Sequence, residues 1–468
     1  MGMAQELSEY AAKLRYEDLP SNVVHQTKRM VLDTLGCALG GYPSESSRVL
    51  REFAVEAGHP PEATIFGSDA KSSALLTTLI NGAMVRYLDY NDTAFILQGD
   101  IYRSGYHPSE VIPGILALAE SEKLDGRRVL SAINLGYDVS LAWLEGVVGT
   151  GIEKQGWNGD TRGAYVMPLV AGHLLGMAPE QMVHAIGIAG SCHAVFGILD
   201  TPAEEYTMTK NIRFPTMAQA GLQAAFLARK GFTGPQGMID GHDGLIEVMM
   251  RGAYDPEPLH QIAGKWSILN TCIKTIIADF SSHGHLTATL KMAREHDIRP
   301  EDVAAVRIRT SKRCAEHTGD PVKKYPKNKE TADHSSYWLT AIAIMERQIG
   351  PNQFRPDKYT DPQALELIDK VELVGDPSLD KLRPAGESTI TLKDGRELST
   401  FVDYPRGHAK NPMTDQELIA KFRDVAGVYL SDDRMDRLIE QVFDLENLHD
   451  VSGLTDLLVA DKSSEAGV

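Results

Sequence analysis

Cysteine is scarce in this chain of 468 residues, which holds only Cys37, Cys192, Cys272 and Cys314 and no CxxC pair. That spacing argues against a zinc ribbon, an iron–sulfur cluster on closely spaced thiolates and a disulfide framework. The four read as free, structural thiols. Long apolar runs are missing too. None reaches the roughly 18 residues of a membrane span, and the opening MGMAQELSEYAAKL lacks the basic start and apolar stretch of a signal peptide. A cytoplasmic location is the expectation. Basic residues are in deficit: the net charge of −17 argues against a nucleic-acid partner, because phosphate contacts need a basic face. Small anionic substrates stay open, since a site can be locally positive inside an acidic protein. No glycine-rich phosphate loop stands out, as GLQAAFLARKGFTGPQG lacks the strand context and spacing of a Rossmann or P-loop motif. Nothing has the GxSxG pattern of a nucleophile elbow. No cofactor is expected.

What is present is ordinary globular material, 43% hydrophobic and 24% charged, on a chain longer than one core usually supports, so at least two domains are expected. From Ser21 to Leu39 apolar residues recur at helical spacing, with Pro20 and Ser21 as a start signal and Gly40-Gly41 as a stop. Ala- and Gly-rich runs such as SALLTTLINGAMVRYL, VIPGILALAESEKL and AYVMPLVAGHLLGM suit buried, closely packed helices. The first 265 or so residues read as all-helical. After Lys274 the texture changes. VAAVRIRTSK alternates apolar and charged residues, KVELVGD is a second strand candidate, and STITLKDGRELSTFVDY reads as a hairpin turning at Asp394-Gly395. Thr414 and Glu417 have capping-box spacing and return the chain to helix. The reading is a mainly α protein: a large all-helical domain made from residues 1–269 and 404–468, and a smaller inserted α+β lid domain at 270–403.

Four places carry groups that could do chemistry. Between two helical runs, RYLDYNDTAFILQGDIYRSGYHPSE sets Asp89, Asp92, Thr93 and His107 around an irregular segment. His107 has the near-neutral pKa of a general acid or base, while Asp92 and Ser109 read equally as helix caps. Lys210, ahead of an Ala-rich helix, could hold a carboxylate or be a solvated surface charge. Lys274, Asp279, His283 and His285 fall at the expected domain junction, where ligand sites concentrate. His283 and His285, two apart, would point in different directions and make a poor metal pair. ETADHSSYWLTAIA adds Asp333, His334, Tyr337 and Trp338, which read as binding groups or as a cap and core aromatics.

The segments MVLDTLGCALGG, RYLDYNDT, HPSEVIPGILALAE, MTKNIRFP, GLQAAFLARKGFTGP, Lys274 with His283-Gly284, and VDYPRGHAKNPMTDQEL, in this order through nearly the whole chain, resemble the MmgE/PrpD family. That family includes 2-methylcitrate dehydratase, cis-aconitate decarboxylase and iminodisuccinate epimerase. The resemblance implies a homodimer, a metal-free site between a helical domain and a lid, and proton transfer beside a carboxylate of a small di- or tricarboxylate. Residue by residue it implies catalytic roles for Asp89, His107, Lys210, Lys274 and His283, and substrate contact for Thr93, with Tyr337 a further candidate. Two departures suggest a reshaped pocket: Asn158 stands where members commonly carry a histidine, and the longer segment before the His-Pro motif brings in Arg103 as a possible carboxylate contact. The expected activity is that of a hydro-lyase acting on a citrate-like acid by general acid–base catalysis, in the manner of 2-methylcitrate dehydratase. Decarboxylation or epimerisation of a small dicarboxylate is the alternative, as is a non-catalytic carboxylate-binding protein.

Overall fold

The computed structural model describes residues 2–98, 101–104, 106–148 and 155–461. Helix dominates, and the reason is visible in the local sequence. Helix Ser21–Gly41 starts behind Pro20 and buries nearly all of its length, because apolar residues occupy most of its circumference. Helices Ala74–Tyr87, Ile112–Ser121, Gly126–Glu145, Gly163–Leu174 and Arg213–Arg229 are likewise buried on most faces. They pack through small residues. The Cβ that Gly163 lacks would lie 2.6 Å from Met217 Cβ, so helix Gly163–Leu174 can approach helix Arg213–Arg229 only as glycine. Helix Asp415–Ala426, the first of the C-terminal segment, opens with the expected capping box, Thr414 with Glu417, and lies against helix Ser21–Gly41.

Two apolar cores result. One runs through residues 3–273 and is completed by Met413, Leu418, Phe422 and on to Leu458. The other gathers residues 276–392 around Trp338, Ile308 and Ile390, and recruits Leu88 and Val425. The second core is backed by a four-stranded sheet in the order Val371–Asp376, Val303–Ser311, Gly386–Leu392, Glu397–Val402. The first pair is parallel and the others antiparallel, with Ile308 opposite Leu373 on one side and Ser388 on the other. The strands and the hairpin turn expected from the alternation are all there, Gly395 taking φ 89° in the turn.

The first 265 residues are not wholly helical. The stretch after Asp92, read from the sequence as irregular, forms a β-hairpin, Thr93–Gln98 with Ile101–Ser104, and Thr93 also pairs with Cys272 of the short strand Thr271–Cys272. Its AFIL run is β-branched and aromatic, and the partner strand from far along the chain supplies the edge that a hairpin alone lacks. Gly407, at φ 91°, crosses this junction: an added Cβ would lie 1.9 Å from the Ile273 carbonyl, whose own residue donates its N–H to the Gly407 carbonyl at 2.9 Å. No helix among the described residues is long and apolar enough to cross a membrane.

Candidate active site

Where the two cores meet, the chain buries a cluster of charge. Helix Ala74–Tyr87 ends at Leu88, and Asp89 follows with φ 51°, a left-handed conformation costly for a residue with a side chain. The turn aims its carboxylate inward. Asp89 Oδ1 accepts from Arg86 Nη1 at 2.6 Å and from Lys274 Nζ at 2.7 Å, and Lys274 Nζ also reaches the Asp89 carbonyl at 3.0 Å. Asp89 Oδ2 faces Lys210 Nζ at 3.6 Å and His334 Nδ1 at 3.7 Å. Burial pushes the Asp89 carboxyl upward, but Arg86, Lys274 and Lys210 together hold it well below the usual carboxylate range.

A second carboxylate completes the cluster. Asp333, which ends the short helix Lys329–Ala332, takes Lys210 Nζ on both oxygens, at 2.9 and 2.8 Å, and Lys329 Nζ at 2.7 Å. Its Oδ1 also accepts a short hydrogen bond from His334 Nδ1. Burial opposes ionisation of Asp333, and Lys210, Lys329 and His334 reverse the balance, so it too stays charged. Burial brings the Lys329 ammonium down to about 8, Asp333 working against that and Lys210 adding to it. Lys274 is lowered by burial, with Asp89 opposing. Three lysines thus face two carboxylates in a place that water hardly reaches.

The histidines around this cluster are neutral. His107 Nδ1 donates to the Asp92 carbonyl at 2.6 Å, which leaves Nε2 as the unprotonated atom, and burial helped by Arg86 and Lys274 keeps its pKa well below the usual value. His283, the first residue of helix His283–Glu295, is wholly buried against Phe280, ring centroids 4.6 Å apart, and burial with Lys274 nearby lowers it to about 3. Among the described residues no group meets either of its ring nitrogens with hydrogen-bond geometry, although the Ala278 carbonyl favours the charged ring. Asp92 is a cap: its oxygens accept from the Ser109 N–H at 3.1 Å and the Tyr137 hydroxyl at 2.7 Å, fixing the His-Pro turn.

From Asp89 the charge continues inward as a buried chain. Arg86 Nε lies 3.5 Å from Glu110, Glu110 and Asp160 each lie 2.8 Å from Arg162, and Asp160 lies 3.1 Å from Arg213, which reaches Asp200 at 2.7 Å. Arg162 Nη2 also donates to the His107 carbonyl at 3.1 Å. Removing one member of such a chain leaves a charge uncompensated in low dielectric, which costs far more than the chain gains over apolar packing. Its value is positional.

The other expected groups are placed differently. Thr93 Oγ1 faces the Tyr106 carbonyl at 3.4 Å, within the hairpin. Asn158 is committed to backbone and cap: Nδ2 donates to Asp200 at 2.6 Å and Oδ1 accepts from the Asp160 N–H at 2.8 Å. Tyr337, half-buried, donates its hydroxyl to the Gly319 carbonyl at 3.1 Å, and among the described residues no hydrogen bond or ion pair joins it to the lysine cluster. The backbone of Arg103 lies in the hairpin opposite Ile96, and its side chain lies outside the described residues. Arg86, Glu110, Arg162 and Lys329 were not anticipated. Lys329 and Asp333 stand four apart, Arg86 and Asp89 three apart, and those are ion-pair spacings a helix reading flags without telling a surface pair from a buried one.

Among the described residues three groups of side chains have metal-ligand spacing: the exposed surface set His242, Asp243 and Glu247, and two at this site, first Asp279 with His317 and His334, and second Asp89 with Asp333 and His334. The second is already filled by the Lys210 ammonium. At the first, Lys274 acts on Asp279 and Lys323 on His317, and positive neighbours oppose a dication. The arrangement suits a multiply charged anion better.

The family model described as the MmgE/PrpD N-terminal domain matches residues 5–257, and that described as the C-terminal domain matches residues 278–445. A cis-aconitate decarboxylase of Homo sapiens is 28% identical over 95% of this chain and 92% of its own. A cis-aconitate decarboxylase of Aspergillus terreus is 24% identical over 98% of this chain and 96% of its own. A 2-methylcitrate dehydratase of Cupriavidus necator is 23% identical over 87% of each.

Proposed function

The chain belongs to the MmgE/PrpD family of enzymes, and we propose that it is a lyase acting on a small tricarboxylate of the citrate and cis-aconitate class, with proton transfer at carbon as its chemical step. One observation carries the reading: Lys210, Lys274 and Lys329 are buried, and among the described residues their carboxylate ion pairs are with two groups, Asp89 and Asp333. An incoming carboxylate would share ammonium donors that are already oriented and stripped of water. Charge-assisted bonds of this kind contribute about 1.5–3 kcal/mol each. They strengthen further when extra negative charge develops on the substrate as a carbon–hydrogen or carbon–carbon bond breaks. His107, fixed as the tautomer with a free Nε2, offers a hydrogen-bond acceptor to the substrate on the Asp89 side. Asp89 aligns Lys274 and Lys210.

Loss of carbon dioxide is the outcome favoured here. It needs one proton delivered to carbon, whereas loss of water needs a base for one proton and an acid for the departing hydroxide. Asn158, locked between Asp200 and Asp160, offers neither. The likeness to cis-aconitate decarboxylases covers more of this chain than that to a 2-methylcitrate dehydratase, 95% and 98% against 87%, which supports the same choice. Dehydration is the second reading, favoured by the pair of neutral histidines, His107 and His283, both influenced by Lys274 and Asp89. In either case the Lys210–Asp333 contact, which ties residues of the two cores, opens to admit substrate, so we take residues 270–403 as a lid over a helical body. We place the protein as a homodimer on the same family grounds.

Proton NMR of product formed in deuterated water tests the reading, with cis-aconitate, citrate and 2-methylcitrate as substrates. Carbon dioxide release with one deuterium on carbon is expected from cis-aconitate. Water loss from 2-methylcitrate would move the assignment to dehydratase, and inertness toward all three would overturn it.

A further inference from the structure

The group best arranged to hand a proton to carbon is not among the catalytic residues that the family resemblance implies. We propose that His334 and Asp333 form the proton-transfer dyad of this site, with His334 Nε2 the atom that exchanges a proton with the reacting carbon. This rests on the lyase reading and deepens it.

The geometry is that of an oriented imidazole. His334 Nδ1 donates a short hydrogen bond to Asp333 Oδ1, so the proton of the neutral ring sits on Nδ1 and the lone pair on Nε2. Asp333 in turn cannot swing, because Lys210 holds both of its oxygens and Lys329 holds one. The ring is gripped on its faces as well, tilted on Tyr206 at 4.7 Å between centroids and edge-on to His317 at 5.6 Å. Its Nδ1 side looks toward Asp89 Oδ2 at 3.7 Å, so the dyad borders the lysines that would bind the substrate carboxylates. One polar atom from each of His334, His317 and Asp279 falls within 4.8 Å of the others, a convergence beside the lysine cluster. Asp279 Oδ1 accepts from the Ser281 N–H at 3.0 Å, and among the described residues neither Asp279 nor His317 has an ion pair with a lysine or arginine.

The resting ring is neutral for a physical reason, and substrate reverses it. Burial, with Lys210 beside it, lowers the His334 pKa, while Asp333 and Asp89 act against that. A bound trianion adds negative charge next to the ring and favours the imidazolium. For cis-aconitate the step then balances. The Nε2–H bond breaks and its proton joins one alkene carbon, the alkene pair forming the new C–H bond. The pair of the bond to the departing carboxylate becomes a new double bond, carbon dioxide leaves, and neutral His334 takes its next proton from water. One proton is consumed per turnover, and a trianion becomes a dianion and carbon dioxide.

Steady-state turnover and calorimetric binding of tricarballylate, a saturated tricarboxylate that cannot react, separate this from a structural role when the full-length protein is compared with His334→Gln. The expected result is a kcat lower by about 100-fold or more, with tricarballylate affinity unchanged within about 3-fold. Glutamine keeps a donor for Asp333 but has no proton to give. Nitrogen-15 spectra of histidine-labelled wild-type protein supply a second readout that needs no variant: one buried imidazole should pass from the neutral Nδ1–H tautomer to imidazolium on adding tricarballylate. A wild type that turns over while His334→Gln matches it overturns the dyad alone, as does a variant that loses affinity and kcat together, or an imidazole that stays neutral. A wild type inert toward every acid removes the lyase reading and the dyad with it.

Discussion

Replacing Lys210 by methionine removes one charge and two hydrogen bonds from the centre of the cluster while keeping the length of the side chain. Asp333 then retains Lys329 at 2.7 Å and His334, and Asp89 retains Lys274 at 2.7 Å and Arg86 at 2.6 Å. Breaking a buried pair generally costs about 3–5 kcal/mol, and with these partners left the loss belongs at the lower end, near 3 kcal/mol. The double variant Lys210→Met with Asp333→Asn should recover part of it, because the uncompensated carboxylate is gone. Substrate binding is affected separately. The cluster goes from three lysines against two carboxylates to two against two, and loss of one charge-assisted contact, about 1.5–3 kcal/mol, weakens tricarboxylate binding by roughly 10- to 150-fold. Urea unfolding monitored by tryptophan fluorescence and isothermal calorimetry with tricarballylate give the two numbers. A variant as stable as wild type, with unchanged affinity, would refute the view that Lys210 is a buried carboxylate donor.

Acid should destabilise the protein early. His285 is buried with no hydrogen-bond partner for its ring among the described residues, and burial lowers it to about 3, as it does His283. Between the unfolded value near 6.5 and about 3 the unfolded chain binds these protons and the folded one does not, so stability falls as pH drops through that window, by up to ~1.4 kcal/mol per pH unit for each ring. Urea midpoints measured from about pH 7 down to about pH 4 should show a shallower slope for His285→Gln, and an equal slope would contradict the assignment. Gly407→Ala places a Cβ against the Ile273 carbonyl in a left-handed conformation and should cost at least about 1–3 kcal/mol, read as a lower Tm, with Lys274 displaced and turnover reduced. Asn158→Ala should cost about 1–2 kcal/mol by removing a turn cap and the Asp200 contact, with kcat nearly intact if Asn158 takes no part in chemistry.

The sequence alone carried the helical class, the strand run Val303–Ser311, the hairpin at Asp394-Gly395 and the capping box at Thr414, because each is written in residues that are neighbours in the chain. It also singled out Asp89, Lys210 and Lys274, which the fold brings into one cluster, and His107 and His283 beside them. What it could not show is how they are partnered. Lys210 meets Asp333 across 123 positions and Lys274 meets Asp89 across 185, and no local spacing encodes such pairs. The hairpin after Asp92 reads as irregular in the sequence because its stabilising strand, Thr271–Cys272, lies far along the chain. The place of Asn158 in the chain does not show that Asp200 and the Asp160 N–H occupy its two ends.

The most direct test of the account is where a tricarboxylate binds. A crystal structure with tricarballylate should show its carboxylates on Lys210, Lys274 and Lys329, with the Lys210–Asp333 contact opened and His334 beside the ligand. The rival location is the open groove of about 800 Å³ lined by Arg15, Arg127, Arg128 and His173. Tricarballylate bound there, with the lysine cluster still closed on Asp89 and Asp333, would contradict the account.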